Sequence, residues 1–334
     1  MKAFTIDRYG KTQVGRLTDV PAPALQDDDV LIRVHAASIN LLDTKIRNGD
    51  FKLILPYRMP LVLGHDVAGT VVQVGPRVSA FKPGDAVFAR ADDFRIGTFA
   101  EFIAVKEGSV ASKPANLSME EAASIPLVAL TAWQVLVETA KVQPGQKVFI
   151  QAGSGGVGSI AIQLAKALGA FVATTTSTRN IEWVKALGAD VVIDYTRQDV
   201  AAELRDYDVV LHSLGSKELE QSLRVVKPGG QLISISGPPT QEFAAARRLA
   251  WPLHWVMRLL SRGIRKQARR RGVRYAFVFM HASGEQLSTI ASLIESGTIR
   301  PVIDRVFALD AVADALAYVE SGRAKGKVVI QVVP

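Results

Sequence analysis

The sequence predicts an α/β protein with a β-rich part and a part built on a doubly wound parallel sheet. Three observations support this prediction. Short apolar runs cut by glycine, proline and aspartate fill the beginning of the chain, and from Lys147 onward apolar strands and helices alternate. A glycine-rich loop joins the first strand of that series to its helix. Alternation of this kind favours a parallel sheet with helices on both faces.

The β-rich part is predicted from three short apolar runs and the turns between them. The runs are Val30–Val34, Val67–Val74 and Ala86–Phe88, with a turn at Pro83–Asp85. Short strands with such turns are typical of a small barrel-like β domain. Near residue 118 the pattern changes, because Ser118 and Glu121 have the spacing of a capping box at the start of a helix.

The alternating part begins after Pro144 and Gly145. Its predicted strands are Lys147–Gln151, Phe171–Thr175, Val191–Ile193, Asp208–Leu211 and Gln231–Ile235, and its clearest helices are Val157–Leu168 and Ile181–Leu187. A last strand, helix and strand are predicted at Val302–Phe307, from about Asp310 to Glu320, and at Lys327–Val333. The order of elements therefore predicts a βαβ series with one more such unit at the C-terminal end of the chain.

Composition excludes several kinds of chemistry. The 334 residues are 48% hydrophobic and 22% charged, which is typical of globular proteins. The absence of cysteine excludes disulfides, thiolate-bound zinc, iron–sulfur clusters and thiol nucleophiles. No apolar run reaches the roughly 18 residues of a membrane-spanning helix, and the N-terminus lacks the apolar stretch of a signal peptide. We therefore expect a cytoplasmic protein.

The strongest local motif is Gly153-Ser154-Gly155-Gly156-Val157-Gly158, which fits G-x-G-x-x-G between a predicted strand and helix. Glycine at these positions permits a tight turn, close approach of the backbone to a pyrophosphate, and packing of helix on strand. The N-terminus of the helix supplies unpaired N–H groups and a partial positive charge. The motif therefore predicts a dinucleotide site.

The end of the second strand of this series indicates which dinucleotide binds. An NAD site usually has an acidic residue there, whereas this chain has Thr176, Ser177 and Arg179 in a stretch without an acid. Hydroxyls and a guanidinium suit a 2′-phosphate, which arginine holds through paired hydrogen bonds. We predict NADP(H) as the cofactor, although Arg179 can also be read as a solvated residue at a helix start.

Several motifs together resemble the quinone oxidoreductase and enone (alkenal) reductase branch of the medium-chain dehydrogenase/reductase superfamily. They are Ala37–Asp43, Gly64–Gly69, Phe81–Asp85, Gly97–Glu101, Leu130–Trp133, the glycine loop and Gly326–Ile330. The resemblance covers nearly the whole chain. It implies a GroES-like catalytic domain from residues 1–123 and 276–334, and a Rossmann domain from residues 124–275 with a basic insert at 243–274.

The resemblance also implies a site without a metal. Asn40 stands where zinc-dependent relatives have a cysteine ligand, and His65 matches their histidine. One imidazole without a thiolate does not make a three-ligand zinc site. We therefore expect no metal, and we read His65 and Asp66 as a structural hydrogen-bonded pair.

Further site residues follow from the same resemblance. Asn40, Lys45 and Tyr57 are the candidate catalytic residues, with Lys45 as the first candidate for the oxyanion donor or proton source. The expected cofactor contacts beyond the glycine loop and residues 176–179 are Thr131, Ser213, Leu214, Gly215, Ser236, Gly237, Phe277, Val278 and Lys327. Each of four residues could instead have a purely structural role: Asn40 as a turn residue, Lys45 as a solvated lysine, Tyr57 as a loop anchor and Lys327 as the start of a strand.

The basic charge of the chain is concentrated in one segment. The net charge is +8, but residues 247–274 hold ten Lys or Arg and no acid, so the rest has 30 basic and 32 acidic residues. From Pro252 this segment is read as one helix, with Arg258, Arg262, Arg265 and Arg269 within about 40° of one line and the apolar residues opposite. A lid or dimer-contact helix, a membrane-surface helix and a nucleic-acid contact are the three readings.

These observations predict a metal-free NADPH-dependent oxidoreductase that delivers hydride to a quinone or an α,β-unsaturated carbonyl. Such electrophiles accept hydride readily, so the protein has to orient the nicotinamide, stabilise the developing oxyanion and exclude water. The expected partners are a small lipophilic electrophile, a second subunit in a homodimer, and a membrane surface contacted through residues 243–274, with nucleic acid less favoured. The alternatives are an enoyl-thioester reductase and a weakly catalytic NADPH-binding module whose basic helix binds RNA or a membrane.

Overall fold

The computed structural model describes residues 1–11 and 15–333. Residues Met1–Leu130 and His281–Pro334 form one compact unit, and Thr131–Met280 form the other. The chain passes from one unit to the other a few residues after the predicted domain boundaries at 123 and 276. Those domain boundaries stay a prediction. No helix formed by the described residues is long and apolar enough to cross a bilayer.

The strands and helices agree with the predicted series. The strands are β1 (Lys2–Ile6), β2 (Gly15–Asp19), β3 (Asp29–Ile39), β4 (Leu61–Val62), β5 (Asp66–Val74), β6 (Ala86–Arg90), β7 (Phe102–Lys106), β8 (Val110–Ser112), β9 (Lys147–Ile150), β10 (Phe171–Thr176), β11 (Val191–Asp194), β12 (Tyr207–His212), β13 (Val226–Ser234), β14 (Arg274–Phe277), β15 (Ile303–Ala308) and β16 (Lys327–Gln331). The helices are α1 (Leu41–Asn48), α2 (Met119–Ala123), α3 (Pro126–Trp133), α4 (Gly156–Ala167), α5 (Ile181–Ala186), α6 (Val200–Glu203), α7 (Ser216–Val225), α8 (Gln241–Ala246), α9 (Trp251–Leu260), α10 (Arg262–Arg270), α11 (Gly284–Glu295) and α12 (Val312–Glu320).

The unit formed by both ends of the chain is mainly antiparallel β-structure. Its larger sheet has the order β15-β16-β3-β5-β6-β8, with β7 on β3, and its smaller sheet has the order β2-β1-β4. The long strand β3 pairs with β5, β7 and β16, so residues far apart in sequence meet at its end. The capping box predicted at Ser118 is confirmed, because Ser118 Oγ accepts from the amide of Glu121 and Ser118 N donates to the Glu121 carboxylate.

The other unit contains the parallel sheet. Its order is β11-β10-β9-β12-β13-β14, and all neighbouring strands are parallel. Counted from β9, this is the order 3-2-1-4-5-6 of a doubly wound dinucleotide-binding fold, as predicted. The strand order reverses between β9 and β12, and in such sheets ligands bind beyond the carboxyl ends of the strands at this point. The buried residues of β9, Val148–Ile150, lie in the middle of the core.

The basic segment differs from the single amphipathic helix predicted for it. It forms two helices, α9 and α10, which meet at Ser261. Of the apolar residues that a single helix would place opposite the arginines, Ile264 is buried, whereas Val256 and Leu260 are 47% and 58% exposed. The inner side of this segment is occupied by Met257, Ile264 and Ala268. Ile264 and Ala268 pack into the core of the parallel-sheet unit, and helical periodicity alone does not reveal this contact.

Candidate functional site

The glycine loop follows β9 and opens α4. A Cβ atom at Gly153 would lie 2.3 Å from Thr174 Oγ1, and one at Gly158 would lie 2.2 Å from the carbonyl oxygen of Ala152. Both distances are far below a nonbonded contact, so this backbone accepts only glycine at the two positions. Thr174 is itself held, because its hydroxyl donates to Ile150 O over 2.6 Å. The loop backbone therefore packs directly on the sheet.

The start of α4 has the properties of an anion site. The first helical bond runs from Ser159 N to Gly155 O over 2.9 Å. The amides of Gly156, Val157 and Gly158 precede it and have no acceptor within the helix. Together with the helix dipole, these amides favour a negatively charged group at this end. The cradle fits the pyrophosphate of a dinucleotide, with Ser154 half-buried at its edge.

The predicted 2′-phosphate residues lie together after β10. Thr176 is 1% exposed and its hydroxyl has no hydrogen-bond partner within residues 1–11 and 15–333. Ser177 Oγ accepts from Asn180 Nδ2 over 3.2 Å, and Arg179 is exposed in the turn between them. A buried hydroxyl without a partner beside an exposed guanidinium fits a phosphate ester.

An acid does lie near this strand end, although it belongs to the next strand. Asp194 ends β11 and is paired in register with Thr176. Its carboxylate accepts hydrogen bonds from the hydroxyl of Thr178 and from Thr196 N and Oγ1, and these bonds hold the pKa of Asp194 below its ordinary value. The sequence reasoning missed it because only the pairing of β10 with β11 brings it here.

The ends of β12, β13 and β14 are tied to each other. Ser236 Oγ donates to Leu214 O over 2.6 Å. Ser234 is the centre of the group, since its hydroxyl accepts from Gly237 N over 2.7 Å and its carbonyl accepts from Val278 N over 2.9 Å. The structure thus brings the predicted residues Ser213–Gly215, Ser236, Gly237, Phe277 and Val278 to one edge of one sheet, the edge that carries the glycine loop.

Two buried residues at the reversal point were not predicted. Gln151 joins β9 to β12, because its side-chain oxygen accepts from Ser213 N over 3.3 Å and its amide donates to Ser222 Oγ over 2.8 Å. His212, which ends β12, is fully buried, and burial lowers its pKa to about 4. The sequence signal for both is a polar residue at the end of an apolar run, directly after β9 for Gln151 and at the last position of β12 for His212.

In the β-rich unit, Asn40 and Lys327 are in direct contact. Lys327 is 5% exposed, and its ammonium donates to Asn40 Oδ1 over 2.5 Å, to Ile39 O over 3.0 Å and to Asp66 Oδ2 over 3.4 Å. The Asn40 amide nitrogen also donates to Asp66 Oδ2, over 2.9 Å. Burial lowers the pKa of Lys327 while the nearby carboxylates oppose that shift. The cofactor role expected for Lys327 remains a prediction, and its three N–H groups already have acceptors here.

The expected pair of His65 with Asp66 is wrong. His65 Nδ1 lies 2.5 Å from Asp43 Oδ1, while Asp66 bonds to Ser38, Asn40 and Lys327. Because a carboxylate only accepts, Nδ1 of His65 carries the proton in this contact. Its Nε2 is buried without a hydrogen-bond partner in the described part of the chain. Within that part, no group of three His, Cys, Asp or Glu side chains is arranged to hold a metal ion.

The remaining candidates differ in whether their polar groups already have hydrogen-bond partners. Lys45 lies in the last turn of α1 and is half-buried, and its ammonium has no hydrogen-bond or ion-pair partner among residues 1–11 and 15–333. The Tyr57 hydroxyl donates to the carbonyl oxygen of Asp93, and burial raises the pKa of Tyr57. Thr131 is buried in α3. The geometry of Tyr57 matches the loop-anchor reading.

Comparison with known proteins identifies the family. Residues 26–115 match the family described as "Alcohol dehydrogenase GroES-like domain", and residues 187–330 match "Zinc-binding dehydrogenase". The chain is 38% identical to the 2-methylene-furan-3-one reductase of Solanum lycopersicum over 345 residues, covering 100% of this chain and 80% of that one. The chain belongs to the medium-chain dehydrogenase/reductase family.

Two further relatives of this medium-chain dehydrogenase/reductase agree with the branch predicted from its motifs. The NADPH-dependent alkenal/one oxidoreductase of Arabidopsis thaliana, named as chloroplastic, is 35% identical, with 100% of this chain and 80% of that one covered. The quinone oxidoreductase structure from Coxiella burnetii has a TM-score of 0.87 and 32% identity, covering 100% of this chain and 99% of that one. The predicted superfamily, branch and fold class are confirmed.

Proposed function

We propose that this protein transfers hydride from NADPH to a quinone or an α,β-unsaturated carbonyl. The observation that supports this most strongly is the phosphate cradle at the reversal point of the parallel sheet, where Gly153 and Gly158 leave no room for a Cβ atom. The relatives named above as reductases of enones and quinones give the acceptor class.

The cofactor would be held along the carboxyl edge of the sheet. The amides at the start of α4 would bind the pyrophosphate, and Thr176, Ser177 and Arg179 the 2′-phosphate. The backbone at Ser213–Gly215, Ser236–Gly237 and Phe277–Val278, with Thr131, would position the nicotinamide end. NADPH supplies the hydride when bound, and the protein supplies orientation and exclusion of water.

The acceptor also needs a hydrogen-bond donor for the oxygen that gains negative charge. Lys45 is the best candidate, because its half-buried ammonium has no partner in the described part of the chain. The Tyr57 proton is engaged by Asp93 O, and one Asn40 N–H is engaged by Asp66. Lys45 would therefore donate to the oxyanion, and Asn40 would hold the buried ammonium of Lys327 in place.

The test is oxidation of NADPH by the purified protein against quinones, enones and enoyl thioesters, followed by cofactor absorbance with NADH in parallel. We expect turnover with NADPH and with a quinone or an enone. Turnover with enoyl thioesters alone would replace the proposal by the enoyl-thioester alternative. Tight NADPH binding without turnover of any acceptor would refute hydride transfer to these classes.

A pair of variants distinguishes a catalytic role of Lys45 from the general effect of removing a lysine. Lys45→Gln should lower kcat about a hundredfold and leave the KM for NADPH unchanged, because a proton donor contributes about this much to the chemical step. Lys52→Gln is the matched control, since Lys52 is an exposed lysine in the following loop. Equal activities of the two variants would remove Lys45 from the mechanism.

We also propose a homodimer, a cytoplasmic location and contact of residues 243–274 with a membrane surface. The family resemblance supports the dimer, and the absence of cysteine suits a reducing compartment. Light scattering of the purified protein would test the homodimer, and imaging of the tagged chain in cells would test the cytoplasmic location. The membrane contact is supported by side-chain exposure on α9.

A further inference from the structure

Helix α9 presents large apolar side chains to solvent. Five of its ten residues are large, apolar and exposed: Trp251 (74%), Trp255 (56%), Val256 (47%), Leu259 (64%) and Leu260 (58%). At about 100° per residue they cover one side of the helix, and the buried Met257 lies on the other. Single exposed apolar residues are ordinary on protein surfaces, but a contiguous patch marks an interaction site.

Helix α10 continues this side with positive charge. Hydrogen bonds pass through the junction, from Ser261 N to Met257 O and from Arg265 N to Ser261 O, so the helical register is kept. Ile264 and Ala268 of α10 belong to the buried core of the parallel-sheet unit. Met257, Ile264 and Ala268 therefore face inward, and the exposed residues of both helices lie on the opposite side, apolar in α9 and cationic in α10.

Most of the charge on this side is uncompensated. Glu242 forms an ion pair with Arg265 at 3.3 Å, and its pKa is lowered partly by Arg265 and Arg269. The side chains of Arg262, Lys266 and Arg270 on α10 are exposed and have no ion-pair or hydrogen-bond partner in residues 1–11 and 15–333. Arg248 before α9 and Arg271 after α10 are exposed in the same way. The guanidinium of Arg258 lies over the ring of Trp255, 5.2 Å from its centre, at the border between the apolar and cationic parts.

We propose that the exposed side of α9 and α10 binds the surface of an anionic lipid bilayer. The apolar residues of α9 would enter the boundary between headgroups and acyl chains, where tryptophan is favoured. The cations of α10 would contact acidic headgroups, and each basic residue near such a surface strengthens binding about fivefold. The apolar half of this surface matches the acyl-chain boundary, and the cationic half matches the acidic headgroups. A neutral or purely apolar partner would match only one of the two halves.

Other occupants fit this surface less well. A second copy docked through the same side would bring two sets of unpaired cations together, which is unfavourable across a two-fold axis. A nucleic acid would satisfy the cations of α10 but would leave the exposed apolar residues of α9 without a partner. The proposal goes beyond hydride transfer and does not depend on it.

The experiment is sedimentation of the full chain with vesicles. Vesicles of phosphatidylcholine and phosphatidylglycerol should bind the protein, vesicles of phosphatidylcholine alone should not, and added salt should weaken binding because it screens the cations. Trp251 and Trp255 should show a blue shift of their fluorescence on binding. Equal binding to both kinds of vesicle, or none to either, would overturn the proposal.

Variants assign the binding to this surface. Trp251→Ser with Trp255→Ser should weaken vesicle binding by at least about tenfold, given the apolar area they expose. The control pair, Leu53→Ser with Phe94→Ser, removes side chains of similar exposure, 75% and 63%, from the other unit and should leave binding unchanged.

A second set tests the charges. Replacing Arg262, Lys266 and Arg270 by glutamine should weaken binding by about two orders of magnitude, and the same change at the exposed Arg205, Lys217 and Arg323 should have a much smaller effect. NADPH binding, followed by its fluorescence, reports that each variant is folded.

Loss of a dimer in the tryptophan variant, with vesicle binding intact, would assign the patch to a second copy and refute the lipid surface. Binding of RNA without any binding of anionic vesicles would also refute the lipid surface.

Discussion

His212 should make the stability of the protein depend on pH. It is fully buried at the end of β12, and burial lowers its pKa to about 4 from 6.5. Between these values the unfolded chain binds a proton at this residue and the native protein does not. The free energy of unfolding therefore decreases as the pH falls through this window and is not affected further below it.

The magnitude follows from the two pKa values. A pKa shift of one unit corresponds to about 1.4 kcal/mol. Protonation of His212 in the unfolded chain alone therefore lowers the free energy of unfolding by up to about 3.4 kcal/mol. Between about pH 7 and about pH 5, the same linkage gives a loss of about 1.8 kcal/mol in the free energy of unfolding.

The assay is urea unfolding of the protein without cofactor at several pH values. His212→Gln should remove about 1.8 kcal/mol of the pH dependence in this range, whereas His254→Gln, at a half-buried histidine outside the sheet, should retain it. Comparing variants with the parent chain cancels the carboxylates that titrate in the same range. Parallel pH profiles for the parent and His212→Gln would refute the reasoning, since His212 would then carry its proton in the native state.

Three other predictions concern the cofactor and the buried network. Arg179→Ala should raise the KM for NADPH about tenfold and leave that for NADH unchanged, whereas Arg205→Ala should change neither; equal effects on both cofactors would remove Arg179 from the phosphate site. Gly158→Ala should weaken NADPH binding at least about tenfold in a fluorescence titration, since its Cβ would meet a backbone oxygen at 2.2 Å; unchanged affinity would show that the loop shifts freely. Lys327→Met should lower the free energy of unfolding by about 3 to 5 kcal/mol in urea, because the buried Asp66 loses its cation, and a change below about 1 kcal/mol would show that the contact is weak.

The local part of the site could be predicted from the sequence. The glycine loop, the strand before it and the helix after it lie within about twenty residues, and the steric demand for glycine acts between neighbours in the chain. The short stretch after β10 is equally local, which is why Thr176, Ser177 and Arg179 could be selected. Asp194 could not be found in this way, because its proximity to Thr176 depends on the register of two parallel strands.

The sequence alone could not decide which side of α9 faces solvent. Helical periodicity separates two sides of a helix but does not say which side faces the core. The sequence offered an arginine side and an apolar side, and the lid, dimer-contact and membrane-surface readings differ in what covers the apolar one. In the structure the inward positions are taken by Met257, Ile264 and Ala268, so Trp255 and Leu259 lie outside.

The sequence by itself determined the fold class, the dinucleotide cradle and the family, because these depend on short-range spacing and on motifs that are each continuous in the chain. Only the tertiary structure decided the partners of the buried charges. His65 and Asp66 are neighbours in sequence but bond to different residues, as adjacent side chains at the start of a strand point to opposite sides. Lys327 reaches Asn40 across 287 positions of the chain because β16 pairs with the end of β3. A buried charge takes the nearest complementary group in space, and pairing of distant strands sets which group that is.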